Sequence, residues 1–351
     1  MTSPLNKSPK TADWKLWAGI LISAVFIFLA FRKVDTGRMW MVLKSANLSS
    51  ILMIVVFTFL QYVARAWRWA ILLEPIQTTG FRNRIQAVLI GFAANCVFPA
   101  RLGEFIRANL LGRKEKLSGS SILGTILVER LFDGFTLLLI LAIGLSGTTF
   151  TGEWSAVSGS LRGTGYALFF TYLLVILFIV GFKYKTRECL NLLDRLLFFF
   201  PKKLRKKSIE AIRNFSLGLV LLRSPVHWAR AILLSILVWT FGIVQIQFTE
   251  LSLGLNLPLI AAFLVMAMGS FGAMIPSAPG FIGTFHLAVQ YAFLFYGLDK
   301  EEALSAAILW HAAVVIPTVL AGLLAFLSSQ FSTERTEKKE SEILEKDRIG
   351  L

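Results

Sequence analysis

The sequence predicts an all-α, polytopic transmembrane helical bundle of six full spans and two re-entrant hairpins broken by Pro and Gly. Three observations predict it. Of 351 residues, 56% are hydrophobic and only 16% are charged, against about 25% charged in soluble domains. Apolar runs long enough to cross a bilayer core recur at 14–31, 50–72, 120–146, 165–182, 227–250 and 303–328. Two further apolar regions, 85–112 and 259–297, are interrupted near Pro99 and Gly103 and over Ile275 to Gly283. This composition excludes a disordered chain, a collagen and a disulfide scaffold, and it disfavours a soluble enzyme.

Met1 to Lys15 is polar and mildly basic. The run after it, Trp17 to Phe31, has no small-residue cleavage pattern and reads as a retained first span. The net charge of +15 sits mostly between apolar runs. It reads as the positive-inside rule and contact with anionic headgroups, not as a nucleic-acid surface. Loop 183–213 holds ten Lys or Arg against three acids, which places it in the cytoplasm. Loop 147–164 has only Arg162 and faces out. Arg113, Lys114 and Lys116 face in, as do Arg82 and Arg84. Two cytoplasmic flanks around 85–112 make that segment a hairpin entering and leaving on one side. Segments 251–258 and 298–302 fall outside, so 259–297 is a hairpin from the opposite face. Loop 32–48 is also assigned outside, although it carries Arg32, Lys33, Arg38 and Lys44. Both termini are then cytoplasmic. The expected organisation is one membrane domain over 1–330, with a basic amphipathic cytoplasmic segment at 183–226 and a charged tail at 331–351. The apolar face Leu192, Leu193, Leu196, Leu197, Phe198 and Phe199 suits an interfacial helix on anionic lipid, or a docking helix for a protein.

The two broken regions resemble each other. Gly91 to Pro99 parallels Gly269 to Pro276, and Gly103 and Gly280 each follow the proline by four residues. The chain therefore reads as two inverted repeats, about 50–146 and 227–328. Such repeats with interrupted segments in matching positions point to a transporter's binding site. Non-helical backbone at membrane depth survives only where protein or a wet cavity satisfies it. Helix N-termini near Gly103 and Gly283 would present positive dipole ends suited to an anionic group such as phosphate.

Ionisable side chains inside apolar spans are the next signal. Glu129, Arg130 and Asp133 fall in 120–146, with Glu129 about 15 Å along a helix from its start. An unpaired charge there costs about 2.5–3.5 kcal/mol, so these groups must pair or face a cavity. They are either a binding site or a structural ion pair, and the two can coexist. Arg101, Glu104 and Arg107 follow the first break. Arg65 and Arg68 stand beside Trp67 and Trp69 at a span end, where the expected role is interface anchoring. His286 follows the second break and His311 lies in the last span. With His227 they show no metal-ligand spacing, and no metal or cofactor is expected. Cys96 and Cys189 lie in opposite environments and are not expected to pair. No nucleophile elbow, phosphate-binding Gly-rich loop or zinc-protease motif occurs. The candidate substrate-binding set is Asn95, Arg101, Gly103, Glu104, Arg107, Glu129, Arg130, Asp133, Pro276, Ser277, Pro279, Gly280, Gly283, Thr284, His286 and His311.

At Phe98-Pro-Ala-Arg-Leu-Gly-Glu-Phe-Ile-Arg107, Leu127-Val-Glu-Arg-Leu-Phe-Asp133 and Pro276-Ser-Ala-Pro-Gly-Phe-Ile-Gly-Thr-Phe285, the chain resembles a known family. This is the flippase-like integral membrane family that includes the membrane region of lysylphosphatidylglycerol synthase and UPF0104-type membrane proteins. The resemblance covers roughly 15–330. It implies a lipid-translocating bundle with two opposed hairpins, in the cell membrane. Arg101, Gly103, Glu104 and Arg107 match the first signature, Glu129, Arg130 and Asp133 the second, and Pro276, Pro279, Gly280 and Gly283 the third. Two positions depart: Phe281 stands where the family usually has Gly, and His286 where it often has an acid. Bifunctional members carry a soluble aminoacyl-transferase domain. The roughly 23 residues after Ser328 are too few to bury such a core, so lipid aminoacylation by this chain is not expected. The leading expectation is a flippase for a phospholipid or polyprenyl-phosphate lipid, with membrane lipids as partners and an oligomer open. The rivals are an intramembrane lipid-modifying enzyme using Glu104 or Glu129, and an accessory subunit of envelope synthesis docking protein partners through 183–213.

Overall fold

The computed structural model describes residues 13–98, 101–150, 152–156, 158–184 and 225–349. They form eleven α-helices and two short 3₁₀ turns, with no strand among the described residues. The helices are α1 (Asp13–Phe31), α2 (Thr36–Lys44), α3 (Leu48–Leu73), α4 (Phe81–Val97), α5 (Gly103–Glu115), α6 (Gly119–Gly147), α7 (Ser158–Tyr184), α8 (Pro225–Ser252), α9 (Leu259–Gly272), α10 (Thr284–Leu294) and α11 (Lys300–Ile349). The expected cytoplasmic segment 183–226 lies almost wholly outside the described residues, as does Cys189. Cys96 is free.

Each apolar run predicted to span coincides with a helix. Leu48–Leu73, Val226–Ser252 and Lys300–Gln330 are long and apolar enough to cross a membrane on length and composition. The α1–α2 pair would make a fourth only as one span bent by 86°. Helix α2 stands where the sequence predicts loop 32–48. Asp35 starts it by accepting from the Gly37 and Arg38 amides at 2.8 and 3.1 Å, an N-cap of the usual kind. The last helix runs on from the apolar stretch into the charged tail, as far as Ile349.

The larger buried apolar cluster draws on α3, α6, α8, α9, α10 and α11, and a second one on α3, α4, α5 and α6. α3 packs along α8, α9 packs against α6 and α10, and α4 packs against α11 and α5. Small residues permit the closest approaches. A Cβ on Gly144 of α6 would stand 2.9 Å from the Leu264 backbone nitrogen of α9. Two antiparallel-type pairs form at the predicted breaks, α4 with α5 and α9 with α10. In the first, Gly91 lies against Gly103 and Arg107; in the second, Gly272 lies against Thr284 and Ala288. Both pairs thus close at a glycine on the incoming helix.

Helix α1 secures the second break. Ser23 Oγ donates to the Ile282 carbonyl and accepts from the Ala278 amide, both at 2.8 Å. These groups lie in irregular backbone, where an unmade bond costs more than a made one stabilises. Ser23→Ala is therefore expected to cost about 1–3 kcal/mol, seen as a lowered thermal midpoint in detergent with unchanged helix content.

Candidate functional site

The charged side chains of α3, α5 and α6 converge on one buried network. Glu129, fully buried, is its centre. Its carboxylate takes a two-pronged contact from Arg107, with Nη2 to Oε2 at 2.6 Å and Nη1 to Oε1 at 3.4 Å. Its Oε1 also meets Arg130 Nη2 at 2.8 Å and Arg68 Nη2 at 3.3 Å. Asp133, one turn on, meets Arg68 Nη1 at 2.7 Å, Arg130 Nη2 at 3.1 Å and Arg65 Nη1 at 3.4 Å. The i,i+4 spacing of Glu129 and Asp133 puts both carboxylates on one face of α6. The i,i+3 spacing of Arg65 and Arg68 answers them from α3.

Arginine suits this arrangement because its planar fork engages a carboxylate with two donors. The aromatic neighbours add to it. Arg107 Cζ lies 4.4 Å from the Trp69 ring centre and Arg65 Cζ 5.0 Å from that of Phe92. Trp69 is oriented in turn by a 2.9 Å bond from its Nε1 to Thr125 Oγ1. Ser235 of α8 accepts from Arg68 at 3.0 Å, so four helices share the network.

Arg65 and Arg68 thus correct the interface-anchor expectation: Arg68 is fully buried and both pair with Asp133. Trp69 and Ser235 were missed as well. The signal available was the arginine spacing, matched to the acid spacing on 120–146.

Among the described residues, the network has one accessible edge. Arg130 and Glu104 keep 31% and 27% of their side-chain surface exposed and meet at 3.5 Å. Close by, Gly103 begins α5. Its amide donates to Asn95 Oδ1 at 2.8 Å, so Asn95 supplies the cap that position lacks. A Cβ on Gly103 would fall 1.9 Å from the Gly91 carbonyl oxygen, which accounts for glycine there.

The two breaks meet at Arg101. This residue has φ +53° and Phe281 has φ +58°, a left-handed conformation costly for any residue but Gly. Arg101 Nη2 donates to the Ala273 carbonyl at 2.9 Å, and its Cζ lies 5.9 Å from the Phe281 ring centre. Among the described residues, each break therefore holds one left-handed non-glycine residue, and the Arg101 guanidinium faces the Phe281 ring. The Phe281 departure seen in the sequence falls where backbone geometry favours Gly. Strain kept by its surroundings tends to mark functional backbone.

The remaining predicted residues belong to the second break. Gly280 and Gly283 have φ +75° and +94°. Pro279 opens the 3₁₀ turn Pro279–Phe281, and Pro276 is exposed ahead of it. Gly283 caps α10, its amide donating to His286 Nδ1 at 3.3 Å. Ser277 and Thr284 hydroxyls lie 3.2 Å apart. His311 Nε2 bonds the Gly280 carbonyl at 2.8 Å, and its ring centre is 4.7 Å from that of His286. The α5 and α10 starts therefore fall where the sequence placed them. Asn95, Gly103, Glu104, Arg107, Glu129, Arg130 and Asp133 gather around one break. Pro276 to Thr284, His286 and His311 gather around the other. Arg101 spans the two.

No group of three or more potential metal ligands exists among the described residues. A separate apolar groove of about 300 Å³ lies between α6, α7 and α9, lined by Leu141, Leu145, Leu168, Leu264, Met268 and, just past α10, Phe295 among others. None of the predicted site residues lines it.

The chain is similar to the glycosyltransferase AglD of Haloferax volcanii, 22% identical over 94% of this chain and 57% of that protein. It thus spans a little over half of AglD's length. It is similar to a UPF0104 membrane protein of Methanothermobacter thermautotrophicus, 21% identical over 82% of this chain and 88% of the relative. The UPF0104 membrane protein MJ1078 of Methanocaldococcus jannaschii is 26% identical over 70% of this chain and 96% of the relative. The family model for the lysylphosphatidylglycerol synthase transmembrane region matches residues 16–322, and the chain is a membrane protein of that family.

Proposed function

We propose that the protein is a lipid translocator of the cell membrane that handles the phosphate group of a phospholipid or polyprenyl-phosphate lipid. The observation that carries this is the edge formed by Arg101, Glu104 and Arg130 beside the start of α5. Four guanidinium groups of the network (Arg65, Arg68, Arg107, Arg130) face three carboxylates (Glu104, Glu129, Asp133). One positive charge is in excess, and Arg101 adds a second. A cationic edge at a helix N-terminus suits an anionic group. Glu129 and Asp133 hold the arginines in place, and Glu104 orients Arg130.

In this proposal α4–α5 and α9–α10 are re-entrant hairpins of two inverted repeats, about 50–146 and 227–328. They enter from opposite faces within a single domain over 1–330, with both termini cytoplasmic. Two glycine-closed pairs and an Arg101–Phe281 contact between the breaks support that arrangement. The strained Arg101 would be the residue that exchanges its Ala273 carbonyl for a lipid phosphate. Arg101→Gln is expected to fold normally, since its guanidinium contacts are one carbonyl and one ring, and to lose at least about tenfold in affinity for a phosphate lipid. Lipid retained by purified protein in mixed micelles, counted by mass spectrometry, checks this. Unchanged retention would count against the site.

A second proposal, lipid modification, has a specific motive: one relative is named a glycosyltransferase. Glu104 is the accessible carboxylate that could act as acid or base. Purified protein incubated with phosphate lipid and a sugar-nucleotide donor separates the two. A new lipid mass, lost in Glu104→Gln, would favour the enzyme.

A further inference from the structure

Helix α2 stands at an angle that has a meaning in a membrane. It turns 86° from α1. Transmembrane helices tilt by about 20° on average, so with α1 taken as the first span that the apolar run 14–31 predicts, a helix turned this far from it lies close to the membrane plane. Its depth follows from what it touches. The Asp35 amide donates to Glu301 at 2.8 Å, and Arg38 meets Asp299 at 2.5 Å; both acids stand at the start of α11. Ser305 Oγ donates to the Met39 carbonyl at 3.2 Å. Just after α2, the Asn47 amide donates to the Ser252 carbonyl at 2.8 Å, which is the end of α8. The end of α1, the start of α3, the end of α8 and the start of α11 therefore share one level, and α2 lies among them.

The side chains of α2 fit that level. No residue of α2 is buried. Met39 packs against the buried cluster of Ala30, Leu287 and Leu304, whereas Trp40 and Met41 are 57% and 65% exposed. Lys44 Nζ stands 5.5 Å over the Trp40 ring. Arg32 and Lys33, at the α1–α2 corner, are exposed too. Tryptophan with a basic residue, on a helix parallel to the bilayer, suits the headgroup boundary.

We propose that α2 is an interfacial helix that binds anionic phospholipid on the leaflet at the Ser252 end of α8. Trp40 and Met41 enter the headgroup–acyl boundary, and Arg32, Lys33 and Lys44 meet the phosphates. Three of the four basic residues of 32–48 then report lipid contact and the fourth, Arg38, pairs with Asp299, so none carries information on sidedness, which removes their conflict with the other loops. The proposal does not depend on translocation.

The test uses the full chain in nanodiscs of phosphatidylcholine with or without phosphatidylglycerol. The Trp40 signal, taken as wild type minus Trp40→Phe, should be quenched more by lipid brominated near the headgroup than by lipid brominated near the chain end. No quenching by either lipid, or stronger quenching from the chain end, overturns the placement. Arg32→Gln, Lys33→Gln and Lys44→Gln should each lower phosphatidylglycerol retention about fivefold, with thermal midpoint unchanged because all three side chains are exposed. Equal retention by a triple variant that keeps the wild-type midpoint overturns the headgroup contact. The translocation site is untouched by these variants, so its success or failure is read separately.

Discussion

Glu129→Gln should lower the thermal midpoint sharply and reduce the yield of folded protein. The carboxylate is fully buried and contacts Arg107, Arg68 and Arg130 within 3.3 Å. Glutamine keeps the shape but removes the charge, and three guanidinium groups lose a common partner. Removing one member of a buried ion pair costs about 3–5 kcal/mol because the charge left behind is uncompensated. Here that approaches the lower end of the about 5–15 kcal/mol that holds an ordinary domain folded. Size-exclusion profiles and thermal midpoints of detergent-purified protein check the expectation. A cycle pairing Glu129→Gln with Arg107→Gln should recover about 0.5–3 kcal/mol of coupling. A well-folded Glu129→Gln variant would mean that the network is not what holds α3, α5 and α6 together.

Gly103→Ala is expected to be nearly as damaging, for a steric reason. The added Cβ would lie 1.9 Å from the Gly91 carbonyl oxygen and 2.6 Å from Asn95 Oδ1. The first of these is backbone and cannot turn aside as a flexible side chain does. Helix α5 must move off α4, and the Asn95 cap on the Gly103 amide is lost with it. Overpacking costs about 1–3 kcal/mol and a lost cap about 1 kcal/mol. The displacement also carries Arg107 away from Glu129. Gly103→Ala should therefore lower the thermal midpoint more than Ser23→Ala, and Asn95→Ala should lower it least. The reverse order would mean that the α4–α5 contact is slack.

The helices and breaks were legible because long apolar runs and Pro–Gly interruptions are local signals. The starts of α5 at Gly103 and α10 at Thr284 fall where the prolines and glycines placed them. Helix α2 was not legible. Its nine residues mix Trp and Met with Arg and Lys, and it is held by groups from α11 over 260 residues away in sequence. The pairing of Arg65 and Arg68 was not legible because arginine beside tryptophan at a span end has the composition of an interface anchor. Only tertiary packing brings α3 against Asp133 and Glu129. Arg101 was legible as a candidate, but its left-handed backbone and its contact with Phe281 were not. Those depend on two segments about 180 residues apart meeting.

The buried network is the frame, and the Arg101–Glu104–Arg130 edge is the proposed working surface. The most direct measurement separates the two in one assay. Proteoliposomes carrying fluorescent phosphate lipids in both leaflets are treated with a membrane-impermeant reductant, and the protected fraction is read over time. Wild-type protein should lower the protected fraction well below that of empty vesicles, and Arg101→Gln should return it to the empty-vesicle level while keeping the wild-type thermal midpoint. Equal protected fractions in wild-type and empty vesicles across phospholipid and polyprenyl-phosphate probes, with folded protein present, would contradict translocation by this chain.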